Sequence, residues 1–115
     1  MAGAKRVIII DDDKNILRIF TLLLQRKGHT VDTAESGKEA LEKIYREQYD
    51  VALIGVILPD TNGLDLLRSI PSGTKKIVIT GAQREEGMRK AISKGADAFL
   101  PKPVKPEKLL QLIAN

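Results

Sequence analysis

The 115-residue sequence predicts a doubly wound α/β domain, in which five parallel strands carry helices on both faces. Short apolar runs such as residues 51–54 are typical of strands buried on both faces of a parallel sheet. Segments with apolar residues at helical spacing separate these runs, so strands and helices alternate along the chain. We expect one domain over residues 1–115, since this length supports a single core.

The first half of the chain contains two strand–helix units. The apolar run at 5–10 predicts the first strand, and the helix over about 14–27 has a predicted inner face of Ile16, Ile19, Phe20, Leu23 and Leu24. Gly28 stands where a helix C-cap is expected. Residues 30–34 predict the second strand. The stretch 36–39, Ser-Gly-Lys-Glu, has the spacing of a capping box, and the helix it opens is expected to bury Ala40, Leu41 and Ile44.

The central strand, residues 51–54, runs into Gly55, and the turn residues Pro59, Asp60, Asn62 and Gly63 follow it. A short helix is then predicted from the apolar residues Leu64, Leu67 and Ile70. The sequence Pro-Ser-Gly at 71–73 ends it.

The last part of the chain predicts two further strands and two further helices. Residues 75–80 form the fourth strand, and a helix over about 85–94 carries Met88, Ala91 and Ile92. The fifth strand, 97–100, is expected at a sheet edge because Pro101 and Pro103 lie around its end. Pro106 suits a first helical turn, and the final helix has the apolar residues Leu109, Leu110, Leu112 and Ile113.

Composition excludes several kinds of protein. The chain has no cysteine, which excludes disulfides, thiolate zinc sites and cysteine nucleophiles. It has no apolar run long enough to cross a membrane and no signal peptide, so we expect a cytoplasmic protein with no membrane partner. The net charge is +4, with basic residues in excess over 75–108. Aromatic content of 3% offers few stacking groups, so nucleic-acid binding is not favoured.

Polar side chains follow three of the predicted strands. Asp11 and Asp12 follow the first strand, Thr80 ends the fourth and Lys102 follows the fifth. If strands one and three are neighbours, these residues converge at the switch point of the sheet. Paired carboxylates suit Mg²⁺, and a hydroxyl and an ammonium group suit phosphate oxygens. The pattern predicts phosphoryl chemistry with Mg²⁺.

Four motifs in this order resemble the receiver domain of two-component response regulators over essentially the whole chain. They are Ile-Ile-Asp-Asp-Asp at 9–13, Leu-Pro-Asp-Thr-Asn-Gly at 58–63, Ile-Thr-Gly-Ala at 79–82 and Lys-Pro at 102–103. The resemblance implies a CheY-like, flavodoxin-like (βα)₅ fold with strand order 2-1-3-4-5. It also implies a phosphorelay partner, either a histidine kinase or a phosphotransfer protein.

The resemblance also implies roles for individual residues. Asp11 and Asp12 would form an acidic pocket, with Asp12 a direct Mg²⁺ ligand and Ile57 offering its backbone carbonyl. Thr80 would be the switching hydroxyl and Phe99 the switch aromatic. Lys102 would face the phosphoryl group and precede a cis Pro103. The predicted fourth helix, fifth strand and fifth helix would form the face for a homodimer or an effector.

Position 55 departs from the family, whose phosphoacceptor aspartate belongs there. Gly55 has no nucleophile, so an aspartyl phosphate cannot form at this position. A metal-ligand carboxylate is lost as well, and we expect Mg²⁺ binding to be weak or absent. Three explanations stay open: a natural pseudo-receiver that signals by contacts alone, an engineered Asp-to-Gly substitution, or a pocket that serves another ligand.

Simpler interpretations of these residues and other functions are also open. Residues 11–13 could merely cap a helix, Thr80 could end a strand in a turn, and Lys102 could be a solvated loop residue. His29 is expected at a surface turn without function, and Asp60 is a turn residue or, less simply, a substitute phosphoacceptor. We expect that this protein is not an enzyme. The alternatives are a small Mg²⁺-dependent phosphatase, for which Asp11 is the candidate nucleophile, and a nucleic-acid-binding basic face.

Overall fold

The structure is a computed structural model that describes residues 3–81 and 84–114. Within these ranges, five parallel strands form one sheet: β1 (Arg6–Ile10), β2 (Thr30–Ala34), β3 (Val51–Gly55), β4 (Lys75–Thr80) and β5 (Ala98–Pro101). Their spatial order is β2-β1-β3-β4-β5, which confirms the predicted order and the edge position of β5. Because β1 and β3 are neighbours, the switch point of the sheet lies between them.

Five helical segments connect and follow the strands: α1 (Lys14–Arg26), α2 (Gly37–Arg46), the 3₁₀ helix η1 (Gly63–Ser69), α3 (Arg84–Ser93) and α4 (Pro106–Ala114). The short third helix is therefore of the tighter 3₁₀ type, and it ends at Ile70, directly before Pro71. Within the described ranges, each helix is too short or too polar to cross a membrane.

The sheet separates two apolar clusters, and successive strand residues point alternately into them. Leu53 lies in the cluster covered by α1 and α4, whereas Ile54 lies in the cluster covered by α2, η1 and α3. Both side chains are fully buried. The prediction of helices on both faces is confirmed, and the uninterrupted apolar runs in the strands are explained by burial on both sides.

The predicted helix ends at Gly28 and Ser36 are confirmed. Gly28 follows the C-cap of α1 and has a φ of 89°, a left-handed conformation that glycine adopts without strain. At the start of α2, the Glu39 N–H donates to Ser36 Oγ at 3.1 Å, and the Glu35 N–H donates to Glu39 Oε1 at 2.8 Å. The capping box thus closes as its spacing predicts.

The predicted inner face of α1 was partly wrong. Leu17, Phe20 and Leu24 are the buried residues of this helix, whereas Ile19 is 53% exposed. Two helical positions span about 200°, so Ile19 lies almost opposite Leu17 once Leu17 faces the sheet. In α3, Ala91 is buried, whereas Ile92 is 57% exposed.

Candidate functional site

One cavity of about 430 Å³ lies at the carboxyl edge of the sheet, where β1, β3, β4 and β5 end. The sequence-predicted site residues that line it are Asp11, Asp12, Gly55, Ile57, Thr80 and Lys102. Phe99 lies on β5, half-buried and outside this lining. The structure therefore brings the predicted pocket residues together, although they are spread over some ninety positions of the chain.

The three consecutive aspartates after β1 have different structural roles. Asp13 is the N-cap of α1, and its side chain accepts hydrogen bonds from the N–H groups of Asn15 at 2.9 Å and Ile16 at 3.4 Å. Capping thus uses one aspartate only. Asp11 and Asp12 remain available to the cavity, Asp12 exposed and Asp11 only 2% exposed.

The Asp11 carboxylate is held inside the cavity wall. Its Oδ1 accepts a hydrogen bond from the Asp13 N–H at 2.9 Å, while Oδ2 is buried and has no hydrogen-bond partner within the described ranges. Burial raises the pKa of this carboxyl group, and the Asp13 N–H and the Lys102 ammonium oppose the rise. A buried, partly unsatisfied carboxylate of this kind is costly unless a cation lies nearby.

Lys102 provides that cation. Its Nζ lies 3.9 Å from Asp11 Oδ2, and its side chain is 38% exposed. The Lys102 N–H donates to the Thr80 carbonyl at 2.8 Å, which extends the β4–β5 pairing by one bond. The peptide bond between Lys102 and Pro103 is cis, as expected from the resemblance. Lys102 therefore lines the pocket, while its side chain stays partly exposed.

Gly55 is the last residue of β3 and is buried at the bottom of this arrangement. A Cβ atom at position 55 would lie 2.6 Å from Asp11 Oδ2, 3.0 Å from Asp11 Cγ and 3.3 Å from the Ile10 carbonyl oxygen. The first of these distances is too short for a non-bonded contact, so a side chain here requires Asp11 to turn away. In this conformation, the Asp11 carboxylate occupies the space that a side chain on residue 55 would need.

Asp60 lies away from the cavity and is occupied elsewhere. Its two carboxylate oxygens accept hydrogen bonds from the N–H groups of Gly37 at 2.8 Å and Lys38 at 2.9 Å, in the first turn of α2. These bonds hold the pKa of the Asp60 carboxyl below its ordinary value. The structure supports the turn-residue interpretation of Asp60 and adds a cap that joins two segments.

A larger cavity, of about 600 Å³, lies at the amino edge of the sheet and is lined mainly by segments 44–50 and 70–74. It contains none of the predicted site residues. Within residues 3–81 and 84–114, no three acidic or histidine side chains cluster in a way that would hold a metal ion. The cavity at the carboxyl edge, with its lysine and acidic pair, is thus the candidate site.

A comparison with known protein families shows to which family the chain belongs. The family model described as the response regulator receiver domain matches residues 7–114 of the chain. The chain belongs to this family. The resemblance stated from the motifs is confirmed at the level of the family.

Relatives of this receiver domain include whole regulators. The response regulator ArlR of Staphylococcus epidermidis is 32% identical over 109 residues, which are 93% of this chain and 50% of ArlR. The transcriptional regulatory protein ResD of Bacillus subtilis is 28% identical over 91% of this chain and 45% of ResD. The receiver domain thus spans about half the length of these curated relatives.

A solved structure agrees with the fold. A CheY-like receiver domain protein from Methanospirillum hungatei JF-1 superposes with a TM-score of 0.89 at 38% identity, covering 96% of this chain and 90% of that protein. The receiver fold is therefore shown independently of the motifs.

Sequence reasoning missed three features of this receiver domain. It did not foresee the pairing of Asp11 with Lys102, the capping of α2 by Asp60, or the burial of His29, which was expected at the surface but is only 9% exposed. Each depends on residues distant in sequence, and no local pattern signals it. Ala82, the last residue of the Ile-Thr-Gly-Ala motif, lies outside the described residues.

Proposed function

We propose that this receiver domain is not phosphorylated at position 55 and signals through protein contacts. The observation that carries the proposal is Gly55 itself, which ends β3 inside the candidate pocket and supplies no side-chain atom. Phosphoryl transfer to a receiver-type site needs a nucleophilic carboxylate, and a glycine has none. The proposal covers a natural pseudo-receiver and an Asp-to-Gly variant alike, because both have the same chemistry at this position.

Asp11 and Asp60 are poor substitutes for a phosphoacceptor at position 55. Asp11 Oδ2 is buried and directed at Lys102, so a phosphodonor could reach it only after rearrangement. Both oxygens of Asp60 are bound to the first turn of α2. The same burial of Asp11 argues against the phosphatase alternative, which would need it as a nucleophile. We therefore propose no enzymatic activity.

The pocket fits Mg²⁺ by donor type but not by donor number. The carboxylates of Asp11 and Asp12 and the backbone carbonyl of Ile57 are hard oxygen ligands, and the buried Asp11 Oδ2 has no hydrogen-bond partner in the described ranges. When bound, Mg²⁺ would neutralise charge on phosphoryl oxygens. With two carboxylates, one of them paired with Lys102, we propose that these residues hold the ion weakly.

The partners follow from the family. A response regulator implies a cognate histidine kinase, and we propose that this chain retains such a kinase or a phosphotransfer protein as a binding partner. The output contact would use α3, β5 and α4, the face on which Phe99 is half-buried and the exposed Lys105 and Lys108 lie. Cytoplasmic location stays a prediction. No specific observation favours binding of nucleic acid by the basic residues.

The proposal is tested by incubating the protein with acetyl phosphate and Mg²⁺ and measuring its intact mass. We expect no added phosphoryl group on this protein and one on Gly55→Asp. A parallel NMR titration with Mg²⁺ and beryllofluoride should move Thr80, Phe99 and Lys102 in the Asp form only. A phosphoryl adduct that maps to any carboxylate of the unsubstituted pocket would contradict the proposal.

A further inference from the structure

The arrangement of Asp11, Gly55 and Lys102 has a consequence for how the pocket is held. Asp11 Oδ2 lies where it would be only 2.6 Å from a Cβ atom on residue 55, and it is 3.9 Å from Lys102 Nζ. Gly55 is therefore the residue type that lets the Asp11 carboxylate take this position. The carboxylate reaches into the strand-end space from β1 instead of from β3.

The charges of the pocket are consistent with a closed internal pair. Within the described ranges, Asp11 is the acidic residue within ion-pair distance of Lys102. Asp13 caps α1, so its carboxylate is committed elsewhere. Asp11 Oδ2 in turn has no hydrogen-bond donor within those ranges, which leaves the Lys102 ammonium as its nearby positive charge. Two opposite charges at this distance attract each other more strongly in a partly buried site than in water.

We propose that Asp11 is the internal counter-ion that positions Lys102, and that Gly55 is required for it to do so. This inference rests on the proposed function, because it assumes that residue 55 contributes no carboxylate of its own. The pair fixes the start of the β5–α4 loop in one arrangement without phosphate or metal. The pocket is thus locked by its own residues, and Asp11 acts as a positioning residue.

The backbone of Lys102 connects this ion pair to the end of β4. The Lys102 N–H donates to the Thr80 carbonyl at 2.8 Å. Thr80 also lines the cavity. Fixing the Lys102 ammonium at Asp11 therefore fixes a residue that is bonded to the end of β4 and leads into α4.

The test reads the Lys102 ammonium group by NMR on the ¹⁵N-labelled 115-residue chain, with neither phosphodonor nor metal present. Asp11→Asn removes the charge and keeps the shape. We expect it to shift the Lys102 Nζ signal and to speed hydrogen exchange at its ammonium group. The matched control is Asp65→Asn, which removes an exposed carboxylate on η1 that lies near Lys94 and outside the cavity, and should leave both readouts near those of the parent. An unchanged Lys102 signal in Asp11→Asn would overturn the inference.

A second variant tests the role of glycine without changing any charge. Gly55→Ala places a Cβ against Asp11 Oδ2, so the carboxylate should be pushed off Lys102 and the Lys102 signal should move in the same direction as in Asp11→Asn. Gly73→Ala is its control, since a Cβ there meets nothing within 4 Å. If Gly55→Ala folds and leaves the Lys102 signal in place, glycine is not required and the inference fails.

A double-mutant cycle keeps the idea testable if either variant loses structure. The shift in urea midpoint caused by Asp11→Asn should be smaller in a Lys102→Met background, because its partner is already gone. Equal shifts in both backgrounds would refute the pairing. None of these readouts involves phosphoryl transfer. Phosphorylation of the parent protein would thus overturn the proposed function, and it would be distinguishable from a failure of the Asp11–Lys102 pair.

Discussion

Two glycines meet at the end of the central strand, and their roles differ. Gly63 starts η1, and a Cβ atom on it would overlap the carbonyl oxygen of Gly55. The Gly63 N–H donates to the Val56 carbonyl at 2.6 Å, so the two backbone segments are in direct contact. Gly63 is therefore needed for close approach of the backbone, whereas Gly55 leaves room for the side chain of another residue.

Replacing Gly63 by alanine should destabilise the protein by about 3 kcal/mol, because the added methyl group meets the backbone and not a flexible side chain. Urea unfolding followed by circular dichroism measures this. Gly73→Ala, in open space, is the control and should change the free energy of unfolding little. A Gly63→Ala protein as stable as its parent would show that the η1 loop can move aside freely.

The structural role of His29 also depends on its neighbours in the fold. Its Nδ1 accepts a hydrogen bond from the Lys5 N–H at 3.0 Å, and it thereby ties the turn after α1 to the start of β1. Burial, and secondarily the charge of Lys5, lower the pKa of His29 below its ordinary value of 6.5. Protonation would replace the acceptor nitrogen by a donor and break this bond.

The stability of the protein should therefore fall as the pH drops below about 6.5 and passes through the lowered pKa of folded His29. The sign follows because the unfolded chain takes up the proton first. Stability from the neutral imidazole is present above this window and lost below it. Urea midpoints measured between neutral and mildly acidic pH should show the fall, and His29→Gln should flatten it. An equally steep fall in His29→Gln would assign the effect to other groups.

At the scale of elements, α2 and the loop after β3 are joined by a cap that is not local. The N–H groups of Gly37 and Lys38 are bound by Asp60, and that of Glu39 by Ser36, so three first-turn donors of α2 are satisfied. A Cβ on Gly37 would come within 2.5 Å of Thr61 Cγ2, which shows how closely this loop packs on the helix. The loop also contains Ile57, so the cap anchors one wall of the pocket.

Asp60→Ala should speed amide hydrogen exchange at Gly37 and Lys38, since both lose their acceptor. Asp60→Asn keeps one carbonyl oxygen, so its exchange rates at these two amides should lie between those of Asp60→Ala and those of the parent. The Glu39 amide, capped by Ser36, serves as the internal control and should change least. Equal acceleration at all three amides would indicate unfolding of the whole helix start and not the loss of two defined bonds.

At the scale of the whole molecule, the sheet joins the two apolar clusters into one structure. Leu53 and Ile54 are adjacent in β3 but belong to clusters on opposite faces. β3 pairs with both β1 and β4, so loss of packing on either face is transmitted to the same central strands. We expect the two clusters to unfold together, as in most single domains of this size.

Leu53→Ala and Ile54→Ala should each cost about 3 kcal/mol, because each opens a cavity among fully buried side chains. Unfolding in urea should be followed by circular dichroism and by tyrosine fluorescence, which reports on Tyr49 in the cluster of Ile54. For both variants the two probes should give one transition. A Leu53→Ala protein whose fluorescence transition stays at the parent midpoint would mean that the faces unfold separately.

Local sequence patterns predict the order of the elements, the parallel sheet and the residues at the strand ends. Apolar runs, helical spacing and turn residues are local, and the pairing rules of α/β sheets then bring those ends to one edge. The match over residues 7–114 and the observed strand order agree with this. The strand-end side chains were predictable because they depend on where strands stop, which the sequence marks directly.

The partner that each polar group takes depends on the tertiary structure. The burial of His29, the reach of Asp60 to α2 and the pairing of Asp11 with Lys102 depend on neighbours more than twenty residues away. Short-range sequence patterns indicate which structures a residue favours. The free energy of burying the Asp11 carboxylate or of exposing Ile19 depends on the residues that surround them in the fold. Gly55 illustrates both: the sequence shows a residue without a side chain at the end of β3, and the fold shows that the Asp11 carboxylate lies beside it.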